Sequence, residues 1–185
     1  MNPLYEATLG NYSRSDYKQF ADNLTVNMFF LRNFQLKAQV AIDYKEDKGK
    51  TFVDPNSSKY YMQTVSPFDR GELRTTNKET FEWNTNVLLI YTSTIGNHNM
   101  NFSLGLNARE TKARYTTSSF KGFPSAQLSD QKYAKTIVDT PDVQDNNTRL
   151  VGTFLFANYT WKDLYLADVS VRLDGSSEFG EDNRF

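Results

Sequence analysis

The sequence predicts an all-β protein, an antiparallel up-and-down meander of about six long strands. Apolar and polar residues alternate with a period of two along most of the chain, which is typical of strands with two unlike faces. The connections between these segments are alternately short and long, as in a series of hairpins. Aromatic residues make up 15% of the chain, and Asn and Thr are also abundant; this composition favours strands and turns over helices.

The first two strands are predicted at 23–31 and 33–46, and they meet near Arg32. In the first strand, the even positions from Leu24 to Phe30 are apolar and alternate with Asn and Thr. In the second strand the even positions are again apolar or aromatic: Phe34, Leu36, Ala38, Val40, Ile42 and Tyr44. Each strand therefore has one face suited to an apolar environment and one suited to a polar environment.

The next two strands are predicted at 74–93 and 99–115. A tight turn at 96–99 joins them and has the sequence Gly-Asn-His-Asn, with the residue types that hairpin turns favour. Large side chains share one face of the first strand: Phe81, Trp83, Val87, Leu89 and Tyr91. The alternation is strictest in the second strand, where every even position is apolar: Met100, Phe102, Leu104, Leu106 and Ala108.

The last two strands are predicted at 148–160 and 164–173, joined by a short turn at 161–163. In the final strand, Tyr165, Ala167, Val169 and Val171 alternate with Leu166 and with polar residues. The strand before it lacks clean alternation, because three large apolar residues run together at 154–156.

The long connections, at 47–73 and 116–147, alternate with the short turns along the chain. Transmembrane β-barrels show this asymmetry, and several predicted strands reach the roughly 9–11 residues that cross a bilayer. Aromatic residues near the short turns also fit an interfacial girdle: Phe29, Phe30, Phe34, Tyr159, Trp161 and Tyr165. A soluble β-sandwich has alternating strands too, so the pattern alone leaves both architectures open.

Composition excludes several classes of function. The net charge is -1, with 21 Lys and Arg against 22 Asp and Glu, so no basic excess points to nucleic acid. The absence of Cys removes disulfides and thiolate sites, and the single histidine, His98, rules out a His-clustered metal site. His98 has no Ser or carboxylate partner in sequence, so it is interpreted as a plain turn residue. We therefore predict no catalysis and no cofactor.

Carboxylates are the remaining candidates for chemistry. Asp139, Asp142 and Asp145 are spaced by threes, but they lack the alternation and the terminal Glu of a calcium loop, which favours a solvated loop. A glycosidase needs two carboxylates at a fixed separation across a cleft. The pairs that the chain offers are Glu79 with Glu82 and Asp168 with Asp174. Nothing in the sequence places either pair in a cleft.

The polar strand face is the main candidate for a binding surface. In a barrel it would line the lumen and could hydrogen-bond a passing solute or a plug; in a sandwich it would simply be solvated. The candidate lumen-facing residues are Asn84, Asn86, Asn101, Asn107 and Arg109. Aromatic residues in the long connections could stack on sugars, contact a partner protein or pack the loops on themselves. They are Tyr60, Tyr61, Phe68, Phe120, Phe123 and Tyr133.

The C-terminal string from Arg172 to Arg184 resembles the R-x-D-G-S-S-x-F-G-x-x-N-R signature of SusC/RagA-type TonB-dependent outer-membrane transporters. Its matching positions are Arg172, Asp174, Gly175, Ser176, Ser177, Phe179, Gly180, Asn183 and Arg184. Two weaker matches fall in the right order, the Asn2-Pro3-Leu4-Tyr5 segment and the strand–turn–strand at 151–166. Within the signature, Asp-Gly-Ser predicts a turn in which Gly175 has positive φ and the Asp and Ser side chains cap local N–H groups.

The resemblance implies energised uptake of an oligosaccharide or a peptide across the outer membrane of a Gram-negative cell. The implied partners are a SusD-like surface lipoprotein, TonB and the lipid bilayer. Family members also carry a signal peptide, a plug domain and a barrel of about 22 strands. Residues 1–185 are accordingly interpreted as a single segment of the barrel domain, without signal peptide or plug, and expected to self-associate when isolated. The alternative is a soluble carbohydrate-binding β-sandwich.

Overall fold

The computed structural model describes residues 3–61 and 63–178. Within these residues, one short helix, α1, precedes seven strands, and short 3-10 turns occur in the long connections. The elements are α1 (Pro3–Glu6), β1 (Tyr12–Phe30), β2 (Phe34–Val53), β3 (Glu72–Ile95), β4 (His98–Lys121), β5 (Thr136–Ile137), β6 (Asp142–Trp161) and β7 (Tyr165–Ser176).

All seven strands of the described residues belong to one sheet, in the order β1-β2-β3-β4-β6-β7, with β5 paired to β4. The prediction of an all-β antiparallel meander is therefore confirmed. β5 is the strand that the sequence did not predict. It has only two residues, Thr136 and Ile137, and pairs antiparallel with Lys121 and Phe120 inside a long connection. A strand this short is too brief to show a periodic pattern.

The strands are also longer than the alternation predicted. β1 begins at Tyr12 rather than near residue 23, and β3 and β4 have 24 residues each. Most of the additional residues lie at the N-terminal end of β1 and at the ends of β2 and β4 next to the long connections, where charged and polar side chains are common on both faces. Backbone pairing extends these strands without an apolar face, so periodicity could not reveal them.

The chain divides into two compact units. One contains Met1–Gln19, Lys45–Thr80 and Ala113–Asp145 and is called the loop unit here, because both long connections belong to it. The other contains Phe20–Tyr44, Phe81–Lys112 and Asn146–Phe185 and is called the turn unit, because the three short turns belong to it. The predicted alternation of short and long connections is thus confirmed.

A small hydrophobic core stabilises the loop unit. Phe52, Leu73 and Phe123 are almost fully buried, and Tyr12 packs against them. The Phe52 ring stacks on Tyr12 at 5.6 Å and meets Phe123 edge-on at 5.2 Å. Gly71 has a φ of +81°, and a Cβ there would lie 3.0 Å from Cβ of Phe123, so this close approach requires glycine.

The three short turns have left-handed residues, as hairpins with right-handed twist require. Gly96 has a φ of 59° in the turn between β3 and β4. The turn between β6 and β7 places both Lys162 and Asp163 at positive φ, and the Leu164 N–H donates to the Trp161 carbonyl at 3.1 Å. Asp tolerates this conformation because its short polar side chain can bond locally.

Candidate functional site

Large apolar side chains are exposed along one face of the turn unit, which we call the apolar face. On β4 it carries Phe102, Leu104 and Leu106, with 41%, 49% and 54% of their surface exposed. On β7 the matching residues Val169, Val171 and Leu173 are 54–66% exposed. The buried large apolar residues among those described, Phe52, Tyr60, Leu73 and Phe123, all lie in the loop unit. In the described part of the turn unit, no buried hydrophobic core therefore lies beneath the apolar face.

Ring contacts between neighbouring strands show that this face is continuous across the sheet. Near the short turns, Phe34 lies 4.8 Å from Tyr91, and Tyr91 lies 6.3 Å from Phe102. On the other side of β4, Trp161 stacks on His98 at 6.5 Å and on Tyr165 at 5.5 Å. We call this set the aromatic row; its members are Phe30, Phe34, Tyr91, His98, Phe102, Tyr159, Trp161 and Tyr165.

The sequence predicted part of the aromatic row. Phe29 was wrongly grouped with it, because successive strand residues point to opposite faces and its neighbour Phe30 stacks on Phe34. His98 was interpreted as an isolated turn residue, whereas it begins β4 and its Nδ1 lies 2.7 Å from the Tyr159 hydroxyl. This contact joins residues 61 positions apart, which no local pattern could predict.

The apolar face ends where charge begins. Along β4, the side chains at even positions are apolar from Met100 to Ala108, and the next two are Glu110 and Lys112. At about 3.3 Å per residue, the strand between Phe102 and Glu110 rises about 26 Å. Tilted by about 35–45°, as barrel strands are, this length spans about 19–22 Å along the membrane normal, most of the height of an apolar band about 25 Å tall.

The opposite face of β3 and β4 carries a cluster of amides. The side-chain NH₂ of Asn107 donates to Oδ1 of Asn86 at 2.6 Å and to Oδ1 of Asn84 at 3.2 Å. Asn86 in turn donates to Oδ1 of Asn84 at 3.0 Å. The structure thus brings three of the five candidate lumen-facing residues into one hydrogen-bonded group.

Beside the amide cluster lies an ion pair. Nη2 of Arg109 is 2.7 Å from Oε2 of Glu82, and the Thr111 hydroxyl donates to the same oxygen at 3.1 Å. Asn101 lies apart from both and accepts a long hydrogen bond of 3.5 Å from Ser103. Glu82 was not among the candidate lumen-facing residues, although its even position on β3 places it on the same face as Asn84. That this face lines a lumen remains a prediction.

The apolar run at 154–156 is explained by the same two faces. Phe154 and Phe156 are paired with Arg172 and Ser170 of β7, on the polar face, whereas Leu155 is paired with Val171. The ring of Phe154 lies over Gly105: a Cβ built there would be 2.0 Å from Cζ of that ring. An aromatic ring over a strand glycine covers backbone that would otherwise be bare.

The described part of the family-like signature is a strand end, which corrects the predicted turn. Asp174 and Gly175 lie inside β7, and Gly175 is not among the glycines with positive φ in the described chain. Asp174 pairs with Arg172 at 2.6 Å instead of capping an N–H group. A Cβ at Gly152 would lie 2.4 Å from Oδ1 of Asp174, so that glycine makes room for the pair.

The two serines of the signature do accept backbone hydrogen bonds. Oγ of Ser176 accepts from the Glu178 N–H at 3.2 Å, and Oγ of Ser177 accepts from the Arg149 N–H of β6 at 2.9 Å. The second bond is between strands, so Ser177 continues the β6–β7 pairing beyond the end of β7. The other signature positions, Phe179, Gly180, Asn183 and Arg184, lie outside the described residues, as does Asn2.

In the loop unit, the two long connections are tied together. Nζ of Lys135 is 2.8 Å from Oδ1 of Asp69, and this bond holds the pKa of that carboxyl below its usual range. The aromatic residues of these connections divide between two roles. Tyr60 and Phe123 are buried, and burial raises the pKa of Tyr60 to about 12, whereas Tyr61 and Phe68 are 66% and 78% exposed. Phe120 packs against the core, and Tyr133 is exposed.

A carboxylate also fixes the N-terminal segment to the first long connection. Glu6 accepts hydrogen bonds from the Ser58 N–H at 2.6 Å and from the Ser57 hydroxyl at 3.0 Å. The bonds from Ser58 are the main reason why the pKa of Glu6 is lowered. This contact contributes stability that is present above the unfolded pKa of about 4.3 and is lost as the pH falls below it.

We therefore expect the Ser58 amide to lose protection from hydrogen exchange as the pH is lowered from about 6 to about 3. Protection is measured as the exchange rate relative to the intrinsic rate at each pH. Glu6→Gln should abolish this pH dependence, and Glu79→Gln should leave it unchanged. Equal protection of the wild-type Ser58 amide at both pH values would show that Glu6 does not control this segment.

Several of the acidic candidates bond to basic or amide side chains in the described chain. Among residues 3–61 and 63–178, no group of three or more acidic, His or Cys side chains is positioned to hold a metal ion. Of the three loop aspartates, Asp145 lies 3.6 Å from Arg114. Of the proposed glycosidase pairs, Glu82 and Asp174 bond to arginines and Asp168 accepts from Asn158.

The fold resembles that of solved peptide transporter structures. The RagAB peptide transporter structure matches with a TM-score of 0.87 at 24% identity, over 100% of this chain. RagAB peptide importer structures in the 'open-open' and 'closed-closed' states match with TM-scores of 0.86 and 0.87 at the same identity. The chain spans 20% of the length of each.

Other comparisons add no family. No protein-family model and no curated protein matches the chain. None of the helices in the described residues is long and apolar enough to cross a membrane. The likeness to the RagAB chains therefore establishes the fold, a segment of an antiparallel sheet.

Proposed function

We propose that this chain is part of the wall of an outer-membrane β-barrel, in a SusC/RagA-type TonB-dependent transporter of a Gram-negative cell. The observation that carries the proposal is the exposed apolar face of the turn unit, bounded by the aromatic row on one side and by charged residues on the other. In water such a face would cost free energy in proportion to its area. In a bilayer it is the surface that contacts lipid.

The alternative, a soluble carbohydrate-binding β-sandwich, needs a second sheet to cover the apolar face. All seven strands described belong to a single sheet. The fold likeness to RagAB chains also favours the barrel. It supports a non-enzymatic role as well, because those proteins are described as a transporter and an importer.

In the proposed barrel, the polar face of β3 and β4 lines the lumen. The amide cluster of Asn84, Asn86 and Asn107, with Asn101 and Arg109 on the same face, would contact a plug or a passing solute. Amides donate and accept at once, which suits both the peptide groups of a peptide and the hydroxyls of an oligosaccharide. We propose one of these two classes as the imported nutrient.

The loop unit would face outwards, where a SusD-like surface lipoprotein would dock, and TonB would act from the periplasmic side. Exposed Phe68, beside Pro55, Pro67 and Pro124 around a cavity of about 590 Å³, offers an apolar contact for the surface partner. Arg70 and Lys135 line the same cavity. A proline and aromatic surface with a basic rim suits a protein partner.

The test is genetic and biochemical. Deleting the gene should abolish growth on one polymeric nutrient, a peptide mixture or an oligosaccharide, while growth on free amino acids and monosaccharides continues. The protein should sediment with outer membranes. Recovery of the protein in the soluble fraction, or unchanged growth of the deletion strain on every polymeric nutrient, would refute the proposal.

The isolated 185-residue chain should self-associate in water. Its apolar face is exposed, and the edge strands β1 and β7 each have one neighbour in the described sheet. Unpaired strand edges and bare apolar surface both promote association. Light scattering should show large particles in buffer and smaller ones in a mild detergent. A monodisperse monomer in buffer alone would contradict the exposure of this face.

A further inference from the structure

Where the apolar face of the turn unit ends, one buried carboxylate holds two cations. Glu110 is only 8% exposed, although it lies at an even position of β4, in line with Leu104 and Leu106. Its Oε1 accepts from Nε of Arg149 at 2.8 Å, and its Oε2 lies 3.6 Å from Nζ of Lys112. One negative and two positive charges leave this cluster with a net charge of about +1 at neutral pH.

The geometry leaves the cations facing outwards. Arg149 reaches Glu110 through Nε, and 64% of its side chain is exposed. The Lys112 side chain is 55% exposed. Because Glu110 fixes one side of each cation, less side-chain entropy is lost when an anion binds the other side.

Trp83 indicates the level of this cluster in the proposed membrane. Its indole Nε1 donates to Oε2 of Glu110 at 3.0 Å, so the ring is a member of the apolar face that contacts the charged cluster directly. Tryptophan is enriched at the level of lipid headgroups, with its ring towards the hydrocarbon and its N–H towards polar groups. The phosphate of a lipid whose chains cover Leu104 and Leu106 would lie at this level.

We propose that Arg149 and Lys112, positioned by Glu110, bind the phosphate of an anionic lipid headgroup at the outer surface of the sheet. The inference rests on the proposed function, since the lipid chains must cover the apolar face. Charge complementarity selects the lipid class: two exposed cations next to an apolar surface favour an anionic lipid over a zwitterionic one.

The experiment uses the protein as its gene encodes it, purified in a neutral detergent and titrated with phosphatidylglycerol or phosphatidylcholine while bound lipid is counted by native mass spectrometry. Wild type should retain phosphatidylglycerol about tenfold more tightly than Arg149→Gln/Lys112→Gln, and both should hold phosphatidylcholine equally. The matched control is Lys37→Gln/Lys78→Gln, which removes the same charge from the polar face and should behave as wild type.

Equal retention of phosphatidylglycerol by wild type and the Arg149/Lys112 variant would overturn the site. Inorganic phosphate at 10 mM, which would fill a site that binds free phosphate with a Kd of about 1 mM, should leave the lipid bound. Displacement of the lipid by this phosphate would also overturn the site, because the site would then hold a free anion rather than a lipid. Failure of the proposed function can be distinguished from failure of the lipid site, because the wild-type protein would then be soluble without detergent. A detergent-dependent wild type without lipid preference refutes only the lipid site.

Discussion

Leu104→Arg should prevent the protein from assembling in the outer membrane. Leu104 lies in the middle of the apolar face, between Phe102 and Leu106, and 49% of its surface is exposed. If this surface contacts lipid, an Arg near mid-membrane costs about 2–4 kcal/mol. The amount of heat-modifiable, protease-resistant barrel in outer-membrane fractions should fall sharply.

The matched control is Asn107→Arg, which adds the same charge on the polar face of the same strand. There the new cation would lie in the amide cluster, close to the Arg109–Glu82 pair. Assembly should be nearly normal, while growth on the transported nutrient changes, because a polar lumen accommodates charge. Normal assembly of Leu104→Arg, or equal loss of assembly in both variants, would contradict the assignment of the two faces.

Gly105→Val should destabilise the sheet by about 1–3 kcal/mol, through overpacking against Phe154. A Cβ at this position would lie 2.0 Å from Cζ and 2.3 Å from Cε1 of the ring, which must leave its place. The measurement is the free energy of unfolding in urea, with the protein refolded into lipid vesicles.

Two further variants separate overpacking from other effects at Gly105. Ser103→Val places the same side chain on the same face two residues earlier and should cost much less, since Val favours strands. Gly105→Val/Phe154→Ala should be more stable than Gly105→Val alone, because the obstructing ring is gone. If Phe154→Ala gives no rescue, the ring does not lie over Gly105.

The sequence was sufficient for the order of the six long strands and for the two faces of those strands that alternate cleanly. Alternation from Met100 to Arg109 depends only on residue type, and a period of two fixes which side chains share a face. The three short turns were predictable from connection length. The turn between β3 and β4 contains a suitable residue, Gly96. In the turn between β1 and β2, Leu31 and Arg32 have positive φ although neither residue type favours it, so the short connection was the only signal for that turn.

Contacts between distant residues could not be predicted in the same way. The bond between His98 and Tyr159, the ring of Phe154 over Gly105, and the Glu110–Arg149 pair all depend on the register between β4 and β6. A connection of 20 residues, 122–141, separates these strands, so no local pattern fixes their register. The predicted turn at Gly175 failed because pairing with β6 extended β7 through a sequence with turn propensity.

The most direct test of the membrane-facing sheet is a scan of single cysteines from Met100 to Arg109, each carrying a nitroxide label, in the lipid-reconstituted protein. Because the chain has no native cysteine, every label within it reports one position. We expect collisions with oxygen to peak at the even positions, from Met100 to Ala108, with minimal access to a water-soluble nickel reagent there. A soluble sandwich would shield the even positions from both reagents. Even positions that are shielded from oxygen, or open to the nickel reagent, would contradict contact of this face with lipid.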